Sequence, residues 1–302
     1  MRKLLYLLIL AGVLLAGCQK KPVVEPVPVT PEDPVTPPAQ IPIRLSMGIA
    51  SRATDIAFEN GDAVGLYVVS RADGVTLKDS GNHLDNLSFT YDGSQWKASR
   101  DVYWKDQQSQ ADFYCYYPFR NTIAQVKSVP VEVSTQQTTD AGYRSGDILW
   151  GTRTNVAPTS EPVQIQVRHL MSNLLVYLEP GNGYDASQLR EALQSIRICG
   201  TRTHGTLDLS TGVVTATGDP AEIVPLLEDD HYRALIVPQT LSSTALVSLQ
   251  VAGSTYTLNT TITFEPGKQH KCTLKVNKTS EGIDIGIIGW ENDDTDYGGT
   301  VN

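Results

Sequence analysis

Four cysteines, five histidines and two acidic clusters hold most of the side chains in this 302-residue chain that could do chemistry. None of the histidines stands in a catalytic or zinc-binding setting. His83 and His204 fall in turn regions, His169 closes an alternating segment, His270 precedes one, and His231 follows Glu228-Asp229-Asp230. There is no His-x-x-x-His spacing and no Cys/His cluster. Glu228-Asp229-Asp230-His231 could supply a carboxylate pair or a cation ligand, and it also reads as a solvated loop before a strand. Asn292-Asp293-Asp294-Thr295-Asp296-Tyr297-Gly298 opens like a calcium loop, but its glycine stands seventh where sixth is needed, and the chain ends before a bidentate glutamate could follow. Gly-x-Ser-x-Gly and phosphate-binding glycine loops are absent. Glycosidase carboxylates pair in space and leave no spacing to read. The expectation is a protein that is not an enzyme, with no catalytic residues, metal or cofactor.

Cys18 is the exception. Met1-Arg2-Lys3 is cationic, the run from Leu4 to Leu15 is apolar, and Ala16-Gly17 offers a small-residue cleavage site. The run is shorter than the roughly 20 residues of a spanning helix. Leu15-Ala16-Gly17-Cys18 matches the lipobox of bacterial lipoprotein precursors, in which the thiol is alkylated by a diacylglyceryl group before cleavage. Residues 1–17 are thus expected to be a lipoprotein signal peptide, with Cys18 as the lipidated first residue and the membrane as its partner. Two or more acyl chains anchor stably, since each buried methylene contributes about 0.8 kcal/mol.

Residues 18–40 read as a Pro-rich tether, with seven of the seventeen prolines at 22, 26, 28, 31, 34, 37 and 38. In polyproline II form it would reach on the order of 65 Å. The net charge of −9 deepens when Arg2 and Lys3 leave with the signal. Lacking any basic run or stripe to neutralise phosphates, the chain is not expected to bind nucleic acid. Cys115, Cys199 and Cys272 permit at most one internal disulfide, and their state stays open.

Short alternating apolar segments broken by turn residues imply an all-β fold. Strands are expected over 41–47, 63–69, 87–91, 95–98, 112–117, 130–134 and 147–151, then 163–167, 174–178, 195–199, 234–237, 245–251, 254–263 and 271–276, with a hairpin over 206–214. Asp92-Gly93 supplies hairpin chemistry between two of them. A single helix is expected over 186–193, with Asp185 as N-cap. Length and spacing suit two tandem antiparallel β-sandwiches, 41–161 and 162–302.

Several segments in order resemble the fimbrillin family, the Mfa-like or type V pilins of Bacteroides-type bacteria. They are Arg52-Ala53-Thr54, Phe58-Glu59-Asn60-Gly61-Asp62-Ala63-Val64-Gly65-Leu66-Tyr67, Tyr103-Trp104, Asp112-Phe113-Tyr114-Cys115-Tyr116-Tyr117-Pro118, Asp147-Ile148-Leu149, Val167-Arg168-His169-Leu170-Met171-Ser172, Val237-Pro238-Gln239 and Gly289-Trp290. The resemblance implies two transthyretin-like sandwiches and export to the outer membrane and cell surface as a pilus subunit. It further implies an arginine-specific protease that cuts a loop after the first strand, and partners that are other pilin subunits.

In that scheme Ile41, Ile43, Leu45 and Met47 line one face of the removable first strand, and Arg52-Ala53 matches the cleavage position. An uncut, exposed arginine remains the other reading. Ile283, Ile285 and Ile287 alternate on one side of the candidate donor strand, which reads equally as a last strand packed within its own domain. The function expected is a structural or adhesive pilus subunit that polymerises by donor-strand exchange. The rival is a surface glycan-binding lipoprotein that stays lipid-anchored, with Trp96, Trp104, Trp150 and Tyr143 as a stacking platform, against which Trp104 within Val102-Tyr103-Trp104 and Trp150 beside Leu149 read rather as core. Stalk, tip and anchor roles are not separable here.

Overall fold

The computed structural model describes residues 39–49, 57–279 and 282–296, the last strand by its backbone. Along the chain come β1 (Leu45–Ile49), β2 (Ala63–Ser70), β3 (Leu84–Tyr91), β4 (Trp96–Ala98), β5 (Ala111–Tyr117), β6 (Val129–Glu132), α1 (Asp140–Arg144), β7 (Leu149–Val156) and β8 (Val163–His169). There follow β9 (Ser172–Pro180), α2 (Ala186–Ala192), β10 (Leu193–Asp208), β11 (Val213–Ile223), β12 (Leu226–Glu228), β13 (His231–Ile236), β14 (Gln239–Val251), β15 (Ser254–Phe264), β16 (Lys268–Thr279) and β17 (Gly282–Asp296). The fold is all-β, as the alternation predicts.

Seven strands form one sheet in the order β1-β8-β7-β5-β2-β3-β4. Two five-stranded sheets follow, one built on β11-β10-β14-β15 with β6 added to β10, the other ordered β12-β13-β9-β16-β17. Ile198, Leu207, Val247 and Leu249 from the first of these meet Leu174, Val176, Ile236 and Leu274 from the second in one apolar core. A separate core collects Ile43, Leu45, Val64, Leu66, Phe89, Phe113, Cys115, Ile165 and Val167 within the seven-stranded sheet.

β2 and β5 are apolar on both faces because they serve both cores. Val64, Leu66 and Val68 point into the core of the seven-stranded sheet, while Tyr67 and Val69 point into the core shared by the five-stranded sheets. On β5, Phe113 and Cys115 face one way and Tyr114 and Tyr116 the other. Such continuous apolar runs mark strands buried on both sides.

Val167 is the last residue along the chain buried in the core of the seven-stranded sheet, and β8, which carries it, pairs with β1 and β7. Conversely β6, early in the chain, pairs with β10. Such memberships are decided by pairing across long stretches of sequence. Trp150 joins the two parts: its Nε1 donates to Leu209 O at 2.8 Å.

Local expectations hold at two landmarks. Gly93 adopts φ +92° in the turn that pairs Tyr91 with Trp96. Asp185 caps α2 through a reciprocal box with Gln188. The segment expected at 195–199 lies inside β10, which runs on to Asp208, so His204 lies within a strand and not in a turn; the hairpin expected over 206–214 forms, with Leu207 opposite Val214.

Candidate assembly strands

The first strand is held from both flanks. Residues 41–43 run antiparallel to 102–104, with Ile43 N donating to Val102 O and Trp104 N to Ile41 O, each at 2.9 Å. Beyond Arg44, whose carbonyl accepts from Val163 N at 2.8 Å, β1 runs parallel to β8, from Leu45 opposite Val163 to Ile49 opposite Val167. Pro42 is tolerated at the isolated bridge to Tyr103, ahead of the regular ladder.

Alternation then aims one face inward. Ile43 and Leu45 are 4% and 5% exposed, and Ile41, Met47 and Ile49 are half-buried against the same core. Fully burying such a side chain stabilises by roughly 1.5–3 kcal/mol. Val102, Trp104, Val163, Ile165 and Val167 are buried in the same core. Trp104 is fixed there by Nε1 donating to Thr159 O at 3.1 Å and by an edge contact with Phe113, centroids 5.4 Å apart. Sequence reading finds β8 by its alternation but not its role as the bed of the first strand, since nothing local encodes a partner so distant.

Ile49 and Ala57 both line one cleft of about 110 Å³, together with Phe58, Glu59, Asp62, Tyr117, Arg144, Asp147 and Leu149. Phe58 stacks edge-on against Trp96 and Tyr117, at 4.8 and 5.9 Å. Tyr117 Oη donates to Asp62 Oδ1, and burial with that carboxylate nearby pushes the phenol up to about 12. Arg52 and Ala53 lie outside the described residues, as does Cys18.

At the other end of the chain, β17 is the edge strand of its sheet and pairs antiparallel with β16, from Gly282 opposite Thr279 to Asp296 opposite Lys268. Ile283, Ile285 and Ile287 face Lys278, Val276 and Leu274 in that ladder. An edge position leaves one row of backbone groups for another strand.

The sequence profile described as fimbrillin-like matches residues 51–290. The chain belongs to the fimbrillin-like family. It is 24% identical over 297 residues to a Bacteroides uniformis protein named as a proposed fimbrium subunit, Fim1C, with 93% of each chain covered. A Bacteroides ovatus protein named as a proposed fimbrium tip subunit is 25% identical over 134 residues, covering 40% of this chain and 24% of that one. Two crystal structures of Bacteroides proteins named as proposed cell adhesion proteins share the fold. The one from B. uniformis has a TM-score of 0.63 at 19% identity, and the one from B. ovatus 0.64 at 15%. Each comparison covers 84% of this chain and 97% of the other.

The four aromatics named for a glycan-stacking platform do not form an exposed one in this fimbrillin-like chain. Trp96, Trp104, Trp150 and Tyr143 are each no more than 8% exposed. They face the cores, and Trp150 and Tyr143 are covered by Arg168 and Arg233. His169 is structural, its Nδ1 2.7 Å from Asp147 Oδ1 in a buried pair. Glu228 and His231 close a hairpin, and Arg233 pairs with Glu228 at 2.9 Å. Among the described residues no group of His, Cys, Asp and Glu is arranged to hold a metal. Cys115, Cys199 and Cys272 are free thiols.

Proposed function

We propose that this fimbrillin-like chain is a structural or adhesive pilus subunit of the cell surface, made as a lipoprotein and assembled by strand exchange. Its signal peptide, residues 1–17, is removed and Cys18 carries the lipid to the outer membrane. An arginine-specific protease then cuts between Arg52 and Ala53. The first strand departs with the tether, and a strand of the next subunit fills the groove. Two sandwich modules, one around each core, carry the interaction along the fibre.

One observation supports this reading above the rest: the first strand is hydrogen-bonded on both flanks while its alternate side chains fill the core. Its loss would leave residues 102–104 and β8 with unpaired backbone and the core with empty pockets. An incoming strand satisfies both needs, by backbone pairing and by side-chain fit. The glycan-binding reading has lost its four aromatics to the cores.

The test is electron microscopy of purified full-length chain after arginine-specific proteolysis, with Arg52→Ala beside it. Fibres from the unsubstituted chain and none from Arg52→Ala are expected. Equal fibre formation by both would remove the cleavage step, and fibres from neither would remove strand exchange.

A further inference from the structure

We infer that the replacement strand enters in one register: Ile283, Ile285 and Ile287 of a second copy take the places of Ile43, Leu45 and Met47, running parallel to β8. This rests on the strand-exchange reading and adds the alignment of the two chains.

The groove sets the terms. Its inward positions are 41, 43, 45, 47 and 49, of which 43 and 45 are buried and 41 and 49 are half-buried at the ends. Met47 Sδ lies 3.8 Å from Cys115 Sγ, so that position also reaches the core. The incoming segment carries three isoleucines two residues apart, with Glu281 and Gly289 next on the same face. Because side chains alternate, only shifts of two residues keep the isoleucines inward.

Placing Ile283 at Leu45 would bring the Glu281 carboxylate into the pocket of Ile43, where an unpaired buried charge is strongly disfavoured. Placing Ile283 at Ile41 would set Gly289 at Met47, opening a void beside Cys115. With Ile283 at Ile43, the three isoleucines fill the three central pockets, and Glu281 and Gly289 fall at the half-buried ends. Ile288 then meets Gln166, an exposed and flexible side chain that can swing into solvent. Gly282 stands at Pro42 and supplies the N–H that proline lacks. The same chain direction restores the same donors and acceptors along Val102, Trp104 and Val163.

In this register Gly286 replaces Ser46, the Cα partner of Gln164. Neighbouring strands lie ≈ 4.7–4.9 Å apart, within disulfide reach. Full-length chain carrying Gly286→Cys and Gln164→Cys, cut with arginine-specific protease and oxidised as it polymerises, should give a covalent ladder on non-reducing electrophoresis. Gly286→Cys with Gln166→Cys or with Pro162→Cys should give none. A ladder from either of those pairs and not from Gln164→Cys overturns the register while strand exchange stands. Should Gly286→Cys itself block polymerisation, Ile288→Cys with Gln166→Cys reads the same register, and polymers without a ladder there overturn it. Absence of polymer from the unsubstituted chain instead strikes the reading beneath.

Discussion

The Cys115 thiol sits 3.8 Å from the Met47 sulfur, so the first strand closes over a buried cysteine of β5. Burial alone pushes this thiol far above the usual cysteine range, which keeps it protonated and unreactive. It therefore reports whether the strand is in place.

In the uncut chain at neutral pH, Cys115 should resist alkylation over hours while the half-exposed Cys199 reacts. After proteolysis, and before a donor strand docks, Cys115 should be labelled as well. Alkylation followed by peptide mass spectrometry checks this, and equal protection in the cut, unpolymerised subunit would mean that the strand stays.

Truncating the strand should act according to depth. Ile43→Ala and Leu45→Ala are expected to destabilise the uncut chain by about 2–5 kcal/mol each, the range for fully buried aliphatic side chains. Ile41→Ala should cost less, because Ile41 is half-buried. Urea unfolding of the four proteins, compared at equal m-value, gives the order.

Gly212 holds the turn between β10 and β11 against Trp150 of β7. It has φ +70°, and a Cβ there would lie 2.3 Å from Trp150 Cε3. Gly212→Ala should cost about 1–3 kcal/mol from left-handed backbone strain alone, with displacement of the ring adding to it. Thermal unfolding should show a lowered midpoint, and loss of the Trp150 bond to Leu209 should appear as changed tryptophan fluorescence.

Alkali should unfold the chain through its buried phenols. Burial raises Tyr116 and Tyr117 to about 12, above an ordinary value of 10.0. Between those values the folded state holds protons that the unfolded state has released, so stability is complete below pH 10 and falls as pH rises toward 12. Urea midpoints should be flat from pH 8 to 9.5 and drop above pH 10. Tyr116→Phe should flatten part of that drop, although it forfeits the 2.7 Å bond from Tyr116 Oη to Asn86.

Strands were legible in the sequence where alternation meets a turn residue. Val163-Gln164-Ile165-Gln166-Val167 and the Asp92-Gly93 hairpin are cases, and Asp185 marks α2 by its own chemistry. Helix α1 was not, because a single turn over Asp140–Arg144 has no periodic apolar face and is nucleated by the Thr139 cap. Sheet membership was not legible either: whether β8 lies beside β1 or β9 depends on pairing across more than a hundred residues. Trp104 after Val102-Tyr103 and Trp150 after Ile148-Leu149 already read as core in the sequence, but their partners did not: the backbone carbonyls of Thr159 and Leu209 accept their N–H groups inside the fold. Arg52 is legible only as a motif, because the resemblance that singles it out rests on residue order and not on packing.

The most direct measurement is the mass of the subunits within intact fibres. Assembly by strand exchange predicts a mature N-terminus at Ala53, with no lipid and none of residues 18–52. Fibres built of subunits that still begin at acylated Cys18 would contradict it.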